Sequence, residues 1–292
     1  MSDAGNWTVL RLINWTMDYF ARVHMENPRL SGELLLAHVL GCPRMALYTQ
    51  FDRVVVPPQL DAFRDLVRQA HDGWPVAYLV GRREFYSLTF KVNQDVLVPR
   101  PETELLVEAV LDFVKAAGGA GRLWDVCTGC GCVGISAAHY APALTVLVTD
   151  ISEPALAVAR ENAAAHGVQA RVRIALADLL TLPESARDLA PFDAITANPP
   201  YIADDQVQHL LKSVRMEPDV AVRSGKTGLE HTARIVQQAP AHLRPGGLLA
   251  LETGMGMADA VYDLLKDAGA YEDIRLRKDA AGIERAVLAL RQ

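Results

Sequence analysis

The run Phe192-Asp193-Ala194-Ile195-Thr196-Ala197-Asn198-Pro199-Pro200-Tyr201 constrains this chain more than any other stretch. Phe192–Ala197 reads as a buried strand with an acidic residue near its start. A polar residue, two prolines and an aromatic follow. Successive prolines cannot donate ladder hydrogen bonds, so the strand has to stop at Asn198. Each proline also drives the residue before it towards extended geometry. The predicted product is a stiff turn at the carboxyl edge of a sheet. Such a turn offers acceptors without competing donors: Pro199 and Pro200 lack N–H, while the Pro199 carbonyl and the Asn198 side-chain oxygen accept. Two acceptors close together suit a planar –NH2 group, whose lone pair can then be aimed at an electrophile, and Tyr201 can pack over the flat group carrying that amine. The bland alternative is an ordinary strand end with a Pro-Pro turn. The two readings separate only if a cofactor loop lies upstream.

One does. A strand predicted over Leu123–Cys127 runs into Asp125-Val126-Cys127-Thr128-Gly129-Cys130-Gly131-Cys132, ahead of a helix over Val133–Tyr140. Glycines between a buried strand and a helix let a ligand approach the backbone closely. This marks Cys127, Thr128, Gly129, Cys130 and Gly131 as candidate cofactor contacts. The loop lacks the full Gly-x-Gly-x-x-Gly that favours a dinucleotide. Asp150 ends the next strand, where a carboxylate can accept from both ribose hydroxyls. Asp178 follows the third strand, placed to meet an adenine edge, with Leu179 to cover the ring. Asn198 closes the series, so four successive strand ends carry the candidate site. Two rival readings use the same cysteines. Cys127-x-x-Cys130 before a helix resembles a redox pair. Cys127, Cys130, Cys132 and His139 can be forced into a zinc set, but the spacing is poor. Small residues filling a tight loop explain them better, and no metal is expected.

Composition sets the class. The 292 residues are 50% hydrophobic and 22% charged with net charge −6, a globular balance that argues against a broad nucleic-acid-binding face. Met1–Leu10 shows no secretory signal. Residues 126–149 carry no Lys, Arg, Asp or Glu, yet Gly129, Gly131, Gly134, Pro142 and His139 make a membrane span a poor reading. The cysteines are too crowded for a disulfide framework, which fits a reducing cytoplasm.

Residues 1 to about 75 are predicted as a small helical domain. Trp7, Leu10, Ile13, Met17, Phe20 and Val23 recur at helical spacing. A second helix ends at Gly41, Pro43 opens a third, a fourth follows Pro57-Pro58, and Gly73-Trp74-Pro75 closes the unit. His38 reads as a packed or rim histidine, and nothing here looks catalytic. Residues 76–98 alternate apolar and polar around Asn93-Gln94-Asp95, which predicts a β-hairpin linker. Residues 99–292 then open on Pro99-Arg100-Pro101-Glu102-Thr103-Glu104 and a helix, and from Arg122 alternate strand and helix. That pattern predicts a mostly parallel sheet covered on both faces, with Ile274–Arg277 and Arg285–Leu290 as a closing antiparallel pair. A helix over Gly228–Leu243 and a strand over Leu248–Glu252 precede that pair.

Taken together, Asp-x-x-x-Gly-x-Gly, Asp150, Asp178 and Asn198-Pro199-Pro200-Tyr201 resemble a class I methyltransferase using S-adenosylmethionine. Gly81-Arg82-Arg83-Glu84-Phe85, Pro99–Glu104, Glu217-Pro218, Gly225-x-x-Gly228-Leu229, Leu251-Glu252-x-Gly254 and Asp279-x-x-Gly282-x-Glu284-Arg285 narrow it. Over its whole length the chain resembles the release-factor glutamine methyltransferases, the PrmC/HemK family. The resemblance implies a Rossmann-like α/β domain, S-adenosylmethionine as methyl donor, and a glutamine side-chain amide in the Gly-Gly-Gln loop of release factors as acceptor. It implies Asn198, Pro199, Pro200 and Tyr201 as the catalytic turn, and the helical domain, lacking chemistry of its own, reads as a recognition or packing module. The expected protein is a cytoplasmic monomer that binds neither nucleic acid nor membrane. Cys127 departs from the pattern, since many methyltransferases have the first loop glycine there. A sister enzyme acting on a ribosomal-protein glutamine shares the Asn-Pro-Pro-Tyr, although Pro-Arg-Pro-Glu-Thr-Glu favours the release-factor branch. Adenine-amine DNA methyltransferases also share the tetrad, but the acidic charge and the absence of a DNA-reading insert argue against that reading. A cofactor-sensing module without catalysis would be expected to carry a damaged tetrad.

Overall fold

The computed structural model describes residues 6–292. The chain divides into two compact units: residues up to Gly81 together with Leu211–Met216, and Arg82–Leu210 together with Glu217–Gln292.

The first unit holds α1 (Val9–Arg22), α2 (Pro28–Leu40), α3 (Pro57–Asp72) and the short α4 (Val76–Val80). Thr8 caps α1 through its hydroxyl. Prolines begin α2 and α3, where a missing N–H costs nothing, and left-handed Gly41 and Gly73 end them. Of the residues predicted at helical spacing, Ile13 and Phe20 join Leu35 and Phe63 in the core, whereas Leu10 and Val23 are exposed. The segment after Pro43 is a 3-10 turn, Arg44–Thr49, and α2 buries Glu33 against Arg29, Arg44 and Tyr48.

The predicted linker over 76–98 is corrected in two ways. Val76–Val80 is helical, capped by Pro75 and stopped by left-handed Gly81, because a five-residue apolar run satisfies helix and strand spacing equally. The hairpin is only β1 (Arg82–Phe85) with β2 (Leu88–Lys91), and it belongs to the second unit. Its turn is Tyr86-Ser87, both at positive φ as a tight hairpin turn requires. Asn93–Asp95 instead makes a local side-chain turn, with Asn93 Oδ1 accepting from Asp95 N.

The second unit continues with α5 (Glu104–Ala116), β3 (Ala120–Val126), α6 (Cys132–Tyr140), β4 (Ala143–Asp150), α7 (Glu153–Ala165), β5 (Val172–Leu176) and β6 (Phe192–Ala197). After the short α8 (Asp219–Val222) come α9 (Glu230–Gln238), β7 (Leu243–Glu252), α10 (Ala258–Ala268), β8 (Tyr271–Lys278) and β9 (Glu284–Arg291). The sheet order is β5-β4-β3-β6-β7-β9-β8. The first five strands pair in parallel, and β9 pairs antiparallel with β8, as predicted, and also with β7. The helix predicted to Leu243 stops at Gln238 because Pro240 follows, and β7 absorbs Pro245-Gly246-Gly247 with a shift of register against β6.

The chain runs β3-β4-β5 outward on one side and returns to β6 on the other side of β3. That reversal is a topological switch point, where open α/β sheets leave a crevice beyond their carboxyl ends. Val126 pairs with both Thr149 and Ala197, so β3, β4 and β6 end level around it. Close helix–sheet approach sharpens the crevice floor: a Cβ on Gly134 of α6 would lie 2.6 Å from Val148 Cγ1. Gly134→Ala is therefore expected to destabilise the protein by roughly 1–3 kcal/mol through overpacking, read as a lower midpoint in urea. A wild-type midpoint would show that α6 can lift without cost.

Candidate active site at the carboxyl edge of the sheet

A cleft with about 1010 Å³ of empty space, part of it open to solvent, lies over this edge. Cys127, Thr128, Gly129, Cys130, Asp150, Asp178, Leu179, Asn198 and Pro200 all line it. Gly131 does not, although it shapes the loop. Of the predicted catalytic turn, Pro199 and Tyr201 also lie outside the lining.

The loop is built on Asp125. Its Oδ2 accepts from the Thr128 hydroxyl at 2.5 Å and from Gly134 N at 3.1 Å, and its Oδ1 accepts from the Thr196 hydroxyl at 2.8 Å. Burial nevertheless raises its pKa to about 6. Asn162 Nδ2 donates to the Cys130 carbonyl at 2.9 Å and fixes the far side of the loop. Cys127 sits at φ 56°, in the left-handed region where glycine is favoured. The departure noted in the sequence is therefore a real conformational demand met by a non-glycine residue. Burial pushes the Cys127 thiol well up, opposite to what a reactive redox cysteine needs.

Asp150 ends β4 with one oxygen on Gly129 N (2.9 Å) and the other on Ser152 N (3.0 Å). Each oxygen keeps a further lone pair for a hydroxyl donor. Asp178 is engaged by a residue that sequence reasoning missed: Arg234 Nη2 donates to its Oδ2 at 2.7 Å. Leu179 follows at φ 46° and is buried. His231 was missed as well; it lines the cleft with Nδ1 2.8 Å from the buried Ser224 hydroxyl. No local spacing marked either residue, since both come from α9, far along the chain.

Asn198 Nδ2 is 3.3 Å from Thr103 Oγ1 and donates to it. Its oxygen is the end without a protein partner among the described residues. Thr103 and Arg100 also line the cleft, and the Pro99–Glu104 motif quoted above was the signal for both. Arg100 Nη2 donates to the buried Glu217 at 2.6 Å, and Arg285 pairs with Glu102. The Tyr201 backbone is gripped from behind: a Cβ on Gly228 (φ 80°) would lie 2.4 Å from Tyr201 O. Its ring meets Gly254, whose Cβ would be 3.1 Å from Tyr201 Cδ2. Among the described residues, no group of three His, Cys, Asp or Glu could hold a metal ion, and no helix is long and apolar enough to cross a membrane.

Comparison with known proteins decides the family. Residues 11–81 match the PrmC N-terminal domain family, and residues 101–216 match the methyltransferase small domain family. The release factor glutamine methyltransferase of Rhodopirellula baltica is 41% identical over 297 aligned positions, covering 98% of each chain. The chain belongs to the release factor glutamine methyltransferase family. The member from Chlorobaculum tepidum is 38% identical over the full length of both chains. A methyltransferase structure from Pyrococcus furiosus shares the fold, with a TM-score of 0.51 at 18% identity over 78% of this chain and 98% of the other. This family member is an S-adenosylmethionine-dependent methyltransferase with a class I sheet.

The buried carboxyls of this member give its stability a direction with pH. Burial raises Asp125 to about 6 and Glu252 to about 7, above ordinary values of 3.8 and 4.5. The folded state thus holds these protons more tightly than the unfolded one. Their stabilising contribution is complete below the unfolded pKa and is lost as pH rises, through about 6 for Asp125 and about 7 for Glu252. Relative to Glu252→Gln, wild type should be most stable near pH 5 and lose ground towards pH 8, by at most about 1.4 kcal/mol per pH unit. Thermal melts of the pair across that range check it; a constant difference contradicts the assignment.

Proposed function

We propose that this protein transfers the methyl group of S-adenosylmethionine to the side-chain amide nitrogen, N5, of the glutamine in the Gly-Gly-Gln motif of peptide chain release factors, leaving S-adenosylhomocysteine. The observation that carries the reading is Asn198. Its –NH2 donates to Thr103, which leaves its oxygen as the end open to a substrate at the cleft edge; the next residue, Pro199, lies outside the lining but has a carbonyl and no N–H. That is an acceptor pair for one planar –NH2. The names of the relatives supply the substrate class.

The residues present fit the donor. Asp150 would accept the ribose hydroxyls with the lone pairs that Gly129 and Ser152 leave free. Asp178, held by Arg234, would meet the adenine amino edge, with Leu179 against the ring. Cys127, Thr128, Gly129, Cys130 and Gly131 form the loop on which the remainder would lie. When bound, S-adenosylmethionine supplies an electrophilic methyl on a sulfonium. An amide nitrogen is a poor nucleophile because its lone pair is delocalised into the carbonyl. Asn198 and the Pro199 carbonyl would hold both amide hydrogens and favour the amine-like geometry of the transition state. Pro200 and Tyr201 keep the turn rigid. The excess proton can leave after transfer, so no strong general base is required. The helical unit is assigned recognition of the release factor. One glutamine offers little surface, whereas protein partners bury on the order of 1,200–2,000 Å² in total.

Asn198→Ala should lose roughly 10²–10³ in turnover while keeping most of its cofactor affinity. The assay is mass spectrometry of an intact release factor after incubation with enzyme and labelled cofactor. Methyl on a ribosomal protein instead, or on adenine of duplex DNA, would replace the substrate class. Asp150→Ala should weaken S-adenosylmethionine binding about ten- to a hundredfold, the loss of a charge-assisted hydrogen bond of roughly 1.5–3 kcal/mol. Calorimetry with unchanged affinity would remove Asp150 from the ribose role.

A further inference from the structure

Glu252 ends β7, the neighbour of β6 on the side away from the glycine loop. The register pairs Ala197 with Leu251, which sets Asn198 and Glu252 side by side where the two strands run out. The residue is 2% exposed, and among the described residues neither carboxyl oxygen has a partner within hydrogen-bond geometry. An unpartnered buried carboxyl is destabilising. Its presence at the edge of the reaction cleft asks for a role other than stability.

Thr103 connects the two residues. It is buried, and its Oγ1 accepts from Asn198 Nδ2. Burial raises Glu252 to about 7, and the Thr103 hydroxyl is the strongest influence drawing it back down. A hydroxyl has one hydrogen to give. With its oxygen accepting from Asn198, that hydrogen is left available to the Glu252 carboxyl beside it. An ionised carboxylate can only accept, so a chain through Thr103 can run one way only: Asn198 N–H to Thr103, then Thr103 O–H towards Glu252.

We propose that Glu252 is a positioning residue: through the Thr103 hydroxyl it sets which end of the Asn198 side-chain amide faces the cleft. The inference rests on the reading of Asn198 as acceptor of the substrate N–H. A protonated Glu252 can donate to Thr103 instead. The hydroxyl hydrogen is then free for the Asn198 oxygen, and the amide can turn over to present –NH2 to the substrate –NH2. The charged and titratable groups facing Glu252 are Glu102 ahead of α5, Arg100, Tyr201, Arg285 from β9 and Cys132 at the start of α6. Arg285 is paired with Glu102 and Arg100 with Glu217. Burial holds Tyr201 neutral, and Cys130 together with burial does the same for Cys132.

The test uses the full-length protein with Glu252→Gln, Glu252→Met, Thr103→Val, Thr103→Ser and Asn198→Ala. Turnover on an intact release factor, cofactor affinity by calorimetry and Tm are measured for each. Glu252→Gln, Glu252→Met and Thr103→Val should each lose about tenfold or more in kcat with cofactor Kd within about threefold of wild type. Thr103→Ser, which keeps the hydroxyl, should recover most of the rate. Glu252→Met should melt above wild type, since it removes a buried carboxyl with no cation paired to it, while still turning over slowly. Wild-type kcat should fall from about pH 8 to about pH 6, and the Glu252→Met rate should not. Wild-type turnover in Glu252→Met and Thr103→Val beside an inactive Asn198→Ala overturns the inference alone. An active Asn198→Ala overturns the reading of Asn198 beneath it. A joint loss of Tm and cofactor affinity in Glu252→Met would make the role structural and overturn the inference too.

Discussion

The buried carboxylate of Asp125 is the interaction on which the rest of the site depends. It lies on β3 beside the switch point and holds the glycine loop through Thr128, the start of α6 through Gly134, and β6 through Thr196. Three donors converge on two oxygens, so the loop, the helix and the strand that carries Asn198 share one anchor. Desolvating that carboxyl is costly, and hydrogen bonds of this kind are what make a buried charge tolerable. The glycine loop and the Asn-Pro-Pro-Tyr turn come from separate halves of the sheet, yet one side chain sets their spacing.

Around the Asn-Pro-Pro-Tyr turn the same logic is repeated with paired charges. Glu217 is buried beneath Arg100, and Glu102 meets Arg285 from the last strand. Buried ion pairs of this type contribute little net stability, because desolvation offsets attraction. Their effect is geometric: they tie Pro99–Glu104, the segment at Glu217 and β9 to one face of the turn. Glu252 is buried beside these pairs with no cation paired to it among the described residues.

Backbone strain gathers at the same edge. Cys127 and Leu179, non-glycine residues lining the cleft, hold positive φ. Strain of this sort persists where the surroundings over-determine it, and it clusters at ligand sites. The contacts at Thr128 N and Asp125 account for the first case.

Much of the molecule was legible in one dimension. Period-two and period-3.6 hydrophobicity marked the strand and helix alternation from Arg122 onwards, and Pro-Pro stopped β6 at Asn198 because proline has no N–H. Strand-end position alone nominated Asp150, Asp178 and Asn198, since parallel strands with short connections present their carboxyl ends together. Short apolar runs and long-range partners were not legible. Val76–Val80 satisfied two periodicities and became a helix when Pro75 and Gly81 bounded it. From α9, His231 reaches the cleft and Arg234 reaches Asp178 at its lining, and Thr103 reaches Asn198 across 95 positions of sequence. Local pattern thus determined which residues end strands and which turns cannot continue, because those depend on each residue's own backbone. Which polar groups meet, and which carboxyl is buried with no ion-pair partner among the described residues, depend on strand order and register, and only the folded sheet decided them.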